Sequence, residues 1–221
     1  MSFRKPSNKG GVKKSIGKFP SFRLNDIILF ESNLEKDYLY LLEFDHLDVL
    51  NFRAQSCLIR YRLDGRKRRY TPDFYVERKH KTQVIEVKPE ERALEPRYRE
   101  VFLLAAAACA KKGWEFRVVT ETTIRQEPRL ENVKLLLKYQ RTPLHPQHRI
   151  LCREFFAGRR AAALAEVAEF FAAKGIGRQT LYSLMRWGDL GFDLMTPIDD
   201  DSPLFLPEQG MTAGGQRHVE V

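Results

Sequence analysis

The chain has 221 residues, which is enough for one domain of ordinary size and a smaller second one. Its formal net charge of +9 and its pI of about 9.5 favour a polyanionic partner. No apolar run is long enough to span a membrane, and the first residues lack the apolar core of a signal peptide, so we expect a cytoplasmic protein. Cys57, Cys109 and Cys152 are odd in number and scattered, which disfavours a disulfide framework and fits a reducing compartment.

The start of the chain is a basic segment without any acidic residue. Its cations are Arg4, Lys5, Lys9, Lys13, Lys14 and Lys18. Because the segment is also rich in Gly and Ser, residues 1–20 are predicted to form a flexible arm. The Gly10-Gly11 pair lacks the Gly-Lys-Ser/Thr sequence of an ATP-binding loop, so the arm is not predicted to bind ATP.

Residues 21–128 carry the pattern of a first domain that mixes helices and strands. Ser32 is a good N-cap and an apolar stripe follows it, which predicts a helix over residues 32–44. Asp64-Gly65 is a strong hairpin signal and should join strands over residues 57–63 and 69–77.

The rest of this domain continues the same alternation. A strand over residues 83–87 ends at Pro89, and residues 78–82 before it are predicted to be a solvated connection. An Ala- and Leu-rich helix over residues 95–112 stops at Gly113, and a strand over residues 114–120 follows. Helix, antiparallel strands, helix and returning strand make an α/β core.

Three charged residues of these strands are predicted to meet in one small patch. A short loop near His80 sets Asp73 opposite Glu86 or Lys88, and Glu86 and Lys88 share a face because they are two residues apart. Two hard oxygen ligands suit magnesium, and a neighbouring lysine can orient water or neutralise charge on a phosphate. Paired charges on a hairpin are usually only solvated, but apolar flanks place this hairpin in the core. The sequence therefore predicts a site that cuts phosphodiester bonds.

A second basic cluster comes directly before this patch. It consists of Arg60, Arg62, Arg66, Lys67, Arg68 and Arg69. A basic run is often only a solubilising surface, but two runs that bracket a candidate metal site indicate a track for a nucleic-acid backbone. We therefore predict that this cluster binds DNA without reading its sequence.

Residues 129–206 change to a helical pattern and are predicted to form a second domain. Residues 130–139 look helical, and Pro143 and Pro146 mark a break after them. Residues 161–174 and 178–187 are predicted to be two helices around a Gly-Ile-Gly turn, with residues 192–194 as a possible wing strand. Residues 207–221 are predicted to be a disordered tail.

The second helix of this pair suggests a choice between DNA and a protein as the partner of this domain. Its polar residues that could touch bases or phosphates are Gln179, Thr180, Ser183 and Arg186. The acids that follow, and that would repel phosphates, are Asp189, Asp193, Asp199, Asp200 and Asp201. We therefore expect a protein partner.

Upstream, His145, His148 and Cys152 lack a fourth ligand, so a polar loop that enters a helix is favoured over a zinc site.

Three stretches carry a family resemblance. They are Glu31-Ser32-Asn33-Leu34-Glu35 with Leu41-Leu42-Glu43-Phe44-Asp45, then Arg68-Arg69-Tyr70-Thr71-Pro72-Asp73-Phe74, then Val84-Ile85-Glu86-Val87-Lys88-Pro89. Together they resemble the TnsA family, the endonuclease subunit of heteromeric cut-and-paste transposases in the PD-(D/E)xK nuclease superfamily. The resemblance covers residues 20–125. Beyond them, only the order and size of the helices are similar to that family's winged-helix-like second domain.

The resemblance implies a fold and an active site. The fold is a restriction-endonuclease-like mixed sheet flanked by helices, followed by a small helical, winged-helix-like domain. Asp73, Glu86 and Lys88 match the family motif, and Glu35 is our choice for its helix carboxylate, with Glu31 as the substitute. Asp73, Glu86 and Glu35 would hold Mg²⁺, or Mn²⁺ in its place, and Lys88 would place or activate the attacking water. Ser32-x-x-Glu35 is also a capping box, in which Glu35 would only satisfy the backbone.

The resemblance also implies partners and a biological reaction. The family cuts the 5′ strand at each transposon end, in double-stranded DNA of the prokaryotic nucleoid. A separate transposase subunit of the TnsB type cuts and joins the 3′ ends, and an AAA+ regulator of the TnsC type contacts the C-terminal part. Two other functions stay open from the residues alone. They are a stand-alone restriction or repair endonuclease, and a non-catalytic DNA-binding regulator.

Overall fold

The computed structural model describes residues 16–207, which form two compact units, residues 16–125 and residues 126–207. In this range no helix combines the length and the apolar character needed to cross a bilayer. The strands of the first unit are β1 (Gly17–Ser21), β2 (Asp26–Phe30), β3 (Val49–Ala54), β4 (Ile59–Leu63), β5 (Arg66–Tyr70), β6 (Phe74–Arg78), β7 (Thr82–Val87) and β8 (Trp114–Val119). Its helices are α1 (Asn33–Phe44), α2 (Glu90–Ala93), α3 (Pro96–Ala110) and α4 (Glu121–Ile124).

A four-stranded mixed sheet in the order β3-β6-β7-β8 forms the centre of this unit. β3, β6 and β7 are antiparallel neighbours, whereas β7 and β8 are parallel. Two further hairpins, β1-β2 and β4-β5, form separate two-stranded sheets. A mixed sheet with flanking helices confirms the predicted α/β, restriction-endonuclease-like class for the first unit.

The sequence explains the central position of β7 in this sheet. Residues 83–87 of β7 are all buried, and Val84 and Ile85 are completely so. A strand buried on both faces reads as a near-continuous apolar run, which is the pattern of parallel pairing. The single charged residue of that run, Glu86, is therefore held inside the protein.

Helix α1 begins as the sequence predicts. Ser32 is its N-cap, and the Ser32 hydroxyl accepts a hydrogen bond from the Glu35 N–H at 3.1 Å. The apolar stripe packs inward, with Tyr38 and Leu39 fully buried. The second predicted helix, over residues 95–112, is α3, and Gly113 follows it with φ +71°, a conformation that suits glycine.

Three predictions for the first unit are wrong in detail. The arm over residues 1–20 includes β1, which pairs with β2; residues 1–15 of it lie outside the described residues. The predicted strand over residues 69–77 is two strands in different sheets, because Pro72 lacks an N–H to continue a ladder. Arg78 is not in a solvated connection. Its guanidinium is buried and lies 2.8 Å from a carboxylate oxygen of Asp45 and of Asp48.

The second unit is mainly helical. Its elements are α5 (Arg129–Leu137), α6 (Pro146–Phe155), β9 (Ala162–Ala163), α7 (Leu164–Ala172), α8 (Arg178–Trp187) and β10 (Pro203–Leu204). β9 and β10 pair antiparallel, so the helix predicted from residue 161 begins only at Leu164. The predicted wing strand over residues 192–194 is wrong, because only Gly191 pairs there, in an isolated bridge with Phe205. The winged-helix-like fold stays a prediction for this unit, and the predicted tail lies outside the described residues from 208 onwards.

Candidate active site

Asp73 lies between two strands, immediately before β6. The register of β6 with β7 pairs Phe74 with Ile85, and its continuation places Asp73 opposite Glu86, as the sequence predicts. The Asp73 carboxylate accepts a hydrogen bond from the Val87 N–H at 2.7 Å, and its carbonyl accepts one from the Gln55 N–H at 2.8 Å. Both the backbone and the side chain of Asp73 are therefore fixed against the end of the sheet.

Glu86 and Lys88 lie on the neighbouring strand and its continuation. The Lys88 ammonium is in close contact with a carboxylate oxygen of Glu86, which is buried. The same ammonium lies 4.3 Å from the ring centroid of Tyr98 on α3, a cation–π distance. The Lys88 N–H donates to the Val119 carbonyl at 3.0 Å, so β8 holds the backbone of this residue.

Glu35 makes the contacts of a helix cap. Its carboxylate accepts hydrogen bonds from the Ser32 hydroxyl and from the Glu31 N–H, both at 2.8 Å. The capping interpretation therefore describes its hydrogen bonds, although the donor is the Glu31 N–H rather than the N–H of the cap residue. Burial is the main reason that the pKa of Glu35 is raised, and the nearby charges of Glu31 and Glu86 raise it further.

The three carboxylates influence one another electrostatically. Burial raises the pKa of the Asp73 carboxyl well above its ordinary value, and the charges of Glu86 and then Glu35 raise it further. The Val87 N–H and the Lys88 charge oppose that rise. Carboxylates crowded in this way disfavour ionisation, and a divalent cation between them relieves the repulsion. The donor set of Asp73 and Glu86 therefore fits a hard cation such as Mg²⁺.

Within residues 16–207, no group of three or more His, Cys, Asp and Glu side chains is arranged to hold a metal ion. Each Glu35 oxygen accepts one hydrogen bond from the cap and keeps a further acceptor site, because a carboxylate can accept about four. Capping and a contact with a metal are therefore compatible for Glu35.

Sequence reasoning missed two aromatic residues beside the site. Burial is the main reason that the pKa of the Tyr70 hydroxyl is raised, and the charge of Glu86 raises it further. Tyr98 supports the Lys88 ammonium from α3. Tyr70 lies three residues before Asp73 within the family stretch, which is a signal that could have identified it. Tyr98 comes from a separate element, and no spacing in the sequence connects it to Lys88.

The predicted DNA-binding residues all lie exposed on the β4-β5 hairpin. They are Arg60, Arg62, Arg66, Lys67, Arg68 and Arg69. The register places Arg60 opposite Arg69 and Arg62 opposite Lys67, so four cations share one face of this ribbon. On the other face, Ile59 belongs to a core cluster with Ala105 and Cys109 of α3. The face that packs against α3 also carries Arg66 and Arg68, so the hairpin is anchored by one face and carries cations on both.

The polar residues of α8 that could touch DNA are mostly buried. Thr180, Ser183 and Arg186 of α8 are buried, and of the four candidates only Gln179 is exposed. The Ser183 hydroxyl donates to the Thr142 carbonyl at 3.2 Å, so it serves packing within the unit. The polar residues of α8 recur with a helical period because they face the core of their own unit.

The fold and the site together indicate the class of enzyme. A mixed sheet carries an aspartate before one strand, and a Glu-x-Lys sequence at the end of the next, which is the arrangement of a PD-(D/E)xK nuclease. Residues 46–121 match the model of the family described as TnsA-like endonuclease N terminal. These residues are therefore similar to the N-terminal domain of TnsA-like endonucleases. The match includes Asp73, Glu86 and Lys88, but it begins at residue 46, after Glu31 and Glu35. No curated protein matches the chain.

Proposed function

We propose that this protein is a magnesium-dependent DNA endonuclease that cuts the 5′ strand at each end of a transposon. The observation that carries the proposal is the half-buried Asp73 opposite the buried Glu86, which crowd each other beside Lys88 in residues that match a TnsA-like endonuclease domain. Crowded carboxylates are unfavourable in the free protein, so the arrangement is best explained by a bound cation.

The residues of the site would divide the work between them. Asp73 and Glu86 would hold Mg²⁺, or Mn²⁺ in its place, and Glu35 would contribute through water or at a second position. When bound, the metal supplies a Lewis acid that polarises a phosphoryl oxygen. Lys88 would place the attacking water and stabilise the negative charge that develops on the phosphate. The contacts of Lys88 with Glu86 and Tyr98 hold its ammonium in position for this role.

The site of action and the partners follow from the family. The protein would act in the prokaryotic cytoplasm, on double-stranded DNA of the nucleoid, together with a TnsB-type transposase and a TnsC-type AAA+ regulator. The second unit would bind one of these proteins rather than DNA, because the polar side chains of α8 are mostly turned into its core. A fragment that tests this binding should begin at Gln126, since the Asn132 side chain donates to the Leu194 and Thr196 carbonyls at 2.9 and 2.7 Å.

Transposition products test the strand assignment. In an Asp73→Ala variant, the 5′ cut should fail while the partner transposase still cuts and joins the 3′ ends. The element would stay attached to donor DNA through its uncut strand, and replication across that branched product would fuse donor and target with two copies of the element. Long-read sequencing of junctions counts these fusions against simple insertions. We expect fusions to dominate, and simple insertions at the ordinary ratio would refute 5′ cutting by this site.

A further inference from the structure

A large open cavity lies in the first unit between the β4-β5 hairpin and the C-terminal half of α3. Its volume is about 1060 Å³. Its apolar lining includes Leu58, Ala107 and Trp114, and the Trp114 ring lies 4.4 Å from the Lys112 ammonium. The cavity is open to solvent, so a segment of a polymer can lie across it.

Every side chain in the lining of this cavity that is charged at neutral pH is cationic. Five belong to the hairpin, Arg60, Arg62, Lys67, Arg68 and Arg69, and Lys111 and Lys112 lie at the end of α3. In the described part of the chain none of these side chains forms an ion pair with a carboxylate; the ion pairs there use other cations. Like charges directly opposed on a hairpin are destabilising unless a counter-charge binds.

The Trp114 wall of the cavity lies towards the other end of the sheet from the candidate active site, whereas Arg69, also in the lining, directly precedes Tyr70. In the parallel register of β7 with β8, Trp114 pairs with Thr82, whereas Val118 pairs with Glu86. The two levels differ by four residues, which is about 13 Å along a strand at about 3.3 Å per residue. Since one DNA strand advances about 3.4 Å per nucleotide, this distance corresponds to about four nucleotides.

We propose that this cavity is a groove in which Lys111 and Lys112 join the hairpin cations to hold the phosphate backbone of duplex DNA within about four nucleotides of the bond that is cut. The identity of the ligand as DNA rests on the proposed function. Lys111 and Lys112 extend the cationic hairpin to a second wall, so the groove grips the backbone from two elements. The apolar floor accommodates the sugars between phosphates. The groove positions the duplex and carries no sequence information.

The salt dependence of binding tests the groove without any need for cleavage. The experiment uses the full chain with Asp73→Asn, a labelled 30-base-pair duplex of arbitrary sequence and fluorescence anisotropy. In this background, Lys111→Gln with Lys112→Gln should lower the slope of log affinity against log salt by about 2, because each lost phosphate contact lowers it by about 0.9. The matched control is Arg53→Gln with Lys79→Gln, two exposed cations outside the groove and outside both basic runs, which should leave the slope nearly unchanged.

Each other outcome overturns the assignment. An equal fall in slope for both variant pairs would mean that the slope depends on the net charge of the protein and not on the groove. An unchanged slope with a lower melting temperature would assign the two lysines to stabilising the end of α3. If a single strand of equal length bound more tightly than the duplex, and the groove variant lost that binding, the ligand of the groove would be a displaced single strand rather than a duplex. Because the background does not cut DNA, failure of the nuclease proposal would appear only in a separate cleavage assay.

Discussion

The carboxylates around Asp73 and the cations of the β4-β5 hairpin are both clusters of like charge, but they differ in burial and support. Glu86 is buried, and the Asp73 side chain is tied to the backbone of the next strand at 2.7 Å. The hairpin cations are exposed on a two-stranded ribbon that joins no larger sheet. Burial makes repulsion between the carboxylates strong and directs it at one small space, which suits a compact divalent cation. Exposure spreads the hairpin charge along a surface, which suits a polyanion.

The largest expected effect concerns Lys88, the single cation in the carboxylate cluster that the comparison singles out. Lys88→Ala should lower the rate of DNA cleavage by about 10²–10⁴-fold, because a positioned group that moves protons or stabilises charge contributes on that scale. Its binding of Mn²⁺, measured by calorimetry, should stay close to that of the unchanged protein. Lys81→Ala is the matched control, since Lys81 forms an exposed ion pair with Glu115 at 3.1 Å and such pairs contribute little. Full cleavage by Lys88→Ala would remove Lys88 from the site.

A second prediction concerns a buried charge that is paired with opposite charges, in contrast to the crowded carboxylates around Asp73. Arg78→Leu should lower the free energy of unfolding by about 3–5 kcal/mol, because Asp45 and Asp48 would lose their shared buried partner. Chemical denaturation of the full chain measures this loss. Arg53→Leu, at an exposed position of β3, should cost far less. Equal losses would mean that the buried pairs add no stability beyond an ordinary surface residue.

A third prediction separates the two roles of Glu35. Ser32→Ala removes the hydroxyl of the cap and should cost about 1 kcal/mol of stability while cleavage persists. Glu35→Gln keeps the shape of the side chain but removes its charge, so it should impair cleavage and weaken Mn²⁺ binding. Assays of both variants at a temperature well below unfolding decide between the roles. If Glu35→Gln cleaves normally, the same substitution at Glu31 becomes the test of the helix carboxylate.

The smallest expected effect measures the electrostatic cost of the carboxylate cluster. The raised pKa of Asp73 means that the folded protein binds its proton more tightly than the unfolded chain does. Ionisation of Asp73 therefore destabilises the metal-free fold as pH rises through that pKa, and the cost persists above it. Asp73→Asn should raise the melting temperature at neutral pH in chelator by about 2–4 °C, the effect of about 1 kcal/mol in a chain of this length.

Two further observations check this interpretation. The difference between Asp73→Asn and the unchanged protein should shrink as pH falls through the folded pKa of Asp73. Added Mg²⁺ should raise the melting temperature of the unchanged protein and leave the variant almost unaffected. A variant that is less stable at neutral pH would show that the Asp73 carboxylate stabilises the fold through its contact with Val87.

The sequence predicted the parts of the fold that depend on interactions between residues close together in the chain. Asp64-Gly65 predicted the β4-β5 turn, where both residues have positive φ. Ser32 predicted the start of α1, and the spacing of Asp73, Glu86 and Lys88 predicted their convergence. These features depend on neighbours within one turn or one hairpin.

The errors arose where distant residues decide the environment. Arg78 reads as part of a polar loop, but Asp45 and Asp48 arrive from the end of α1 and bury it. The strand predicted over residues 69–77 divides between two sheets, since a strand pattern does not identify its partner. In α8, a polar spacing that suggested DNA contacts belongs to a helix whose neighbours enclose it. Tyr98 and the lysines at the end of α3 were missed for the same reason.

The cutting of one strand by the Asp73 site is the central claim, and a strand-resolved cleavage assay tests it most directly. The assay combines the full chain with its cognate transposase and regulator on transposon-end DNA, with a different label on each strand. The account predicts that the 5′ cut requires Mg²⁺ or Mn²⁺ and disappears in Asp73→Ala, while the 3′ cut persists. A 5′ cut of normal yield in the Asp73→Ala reaction would contradict the account.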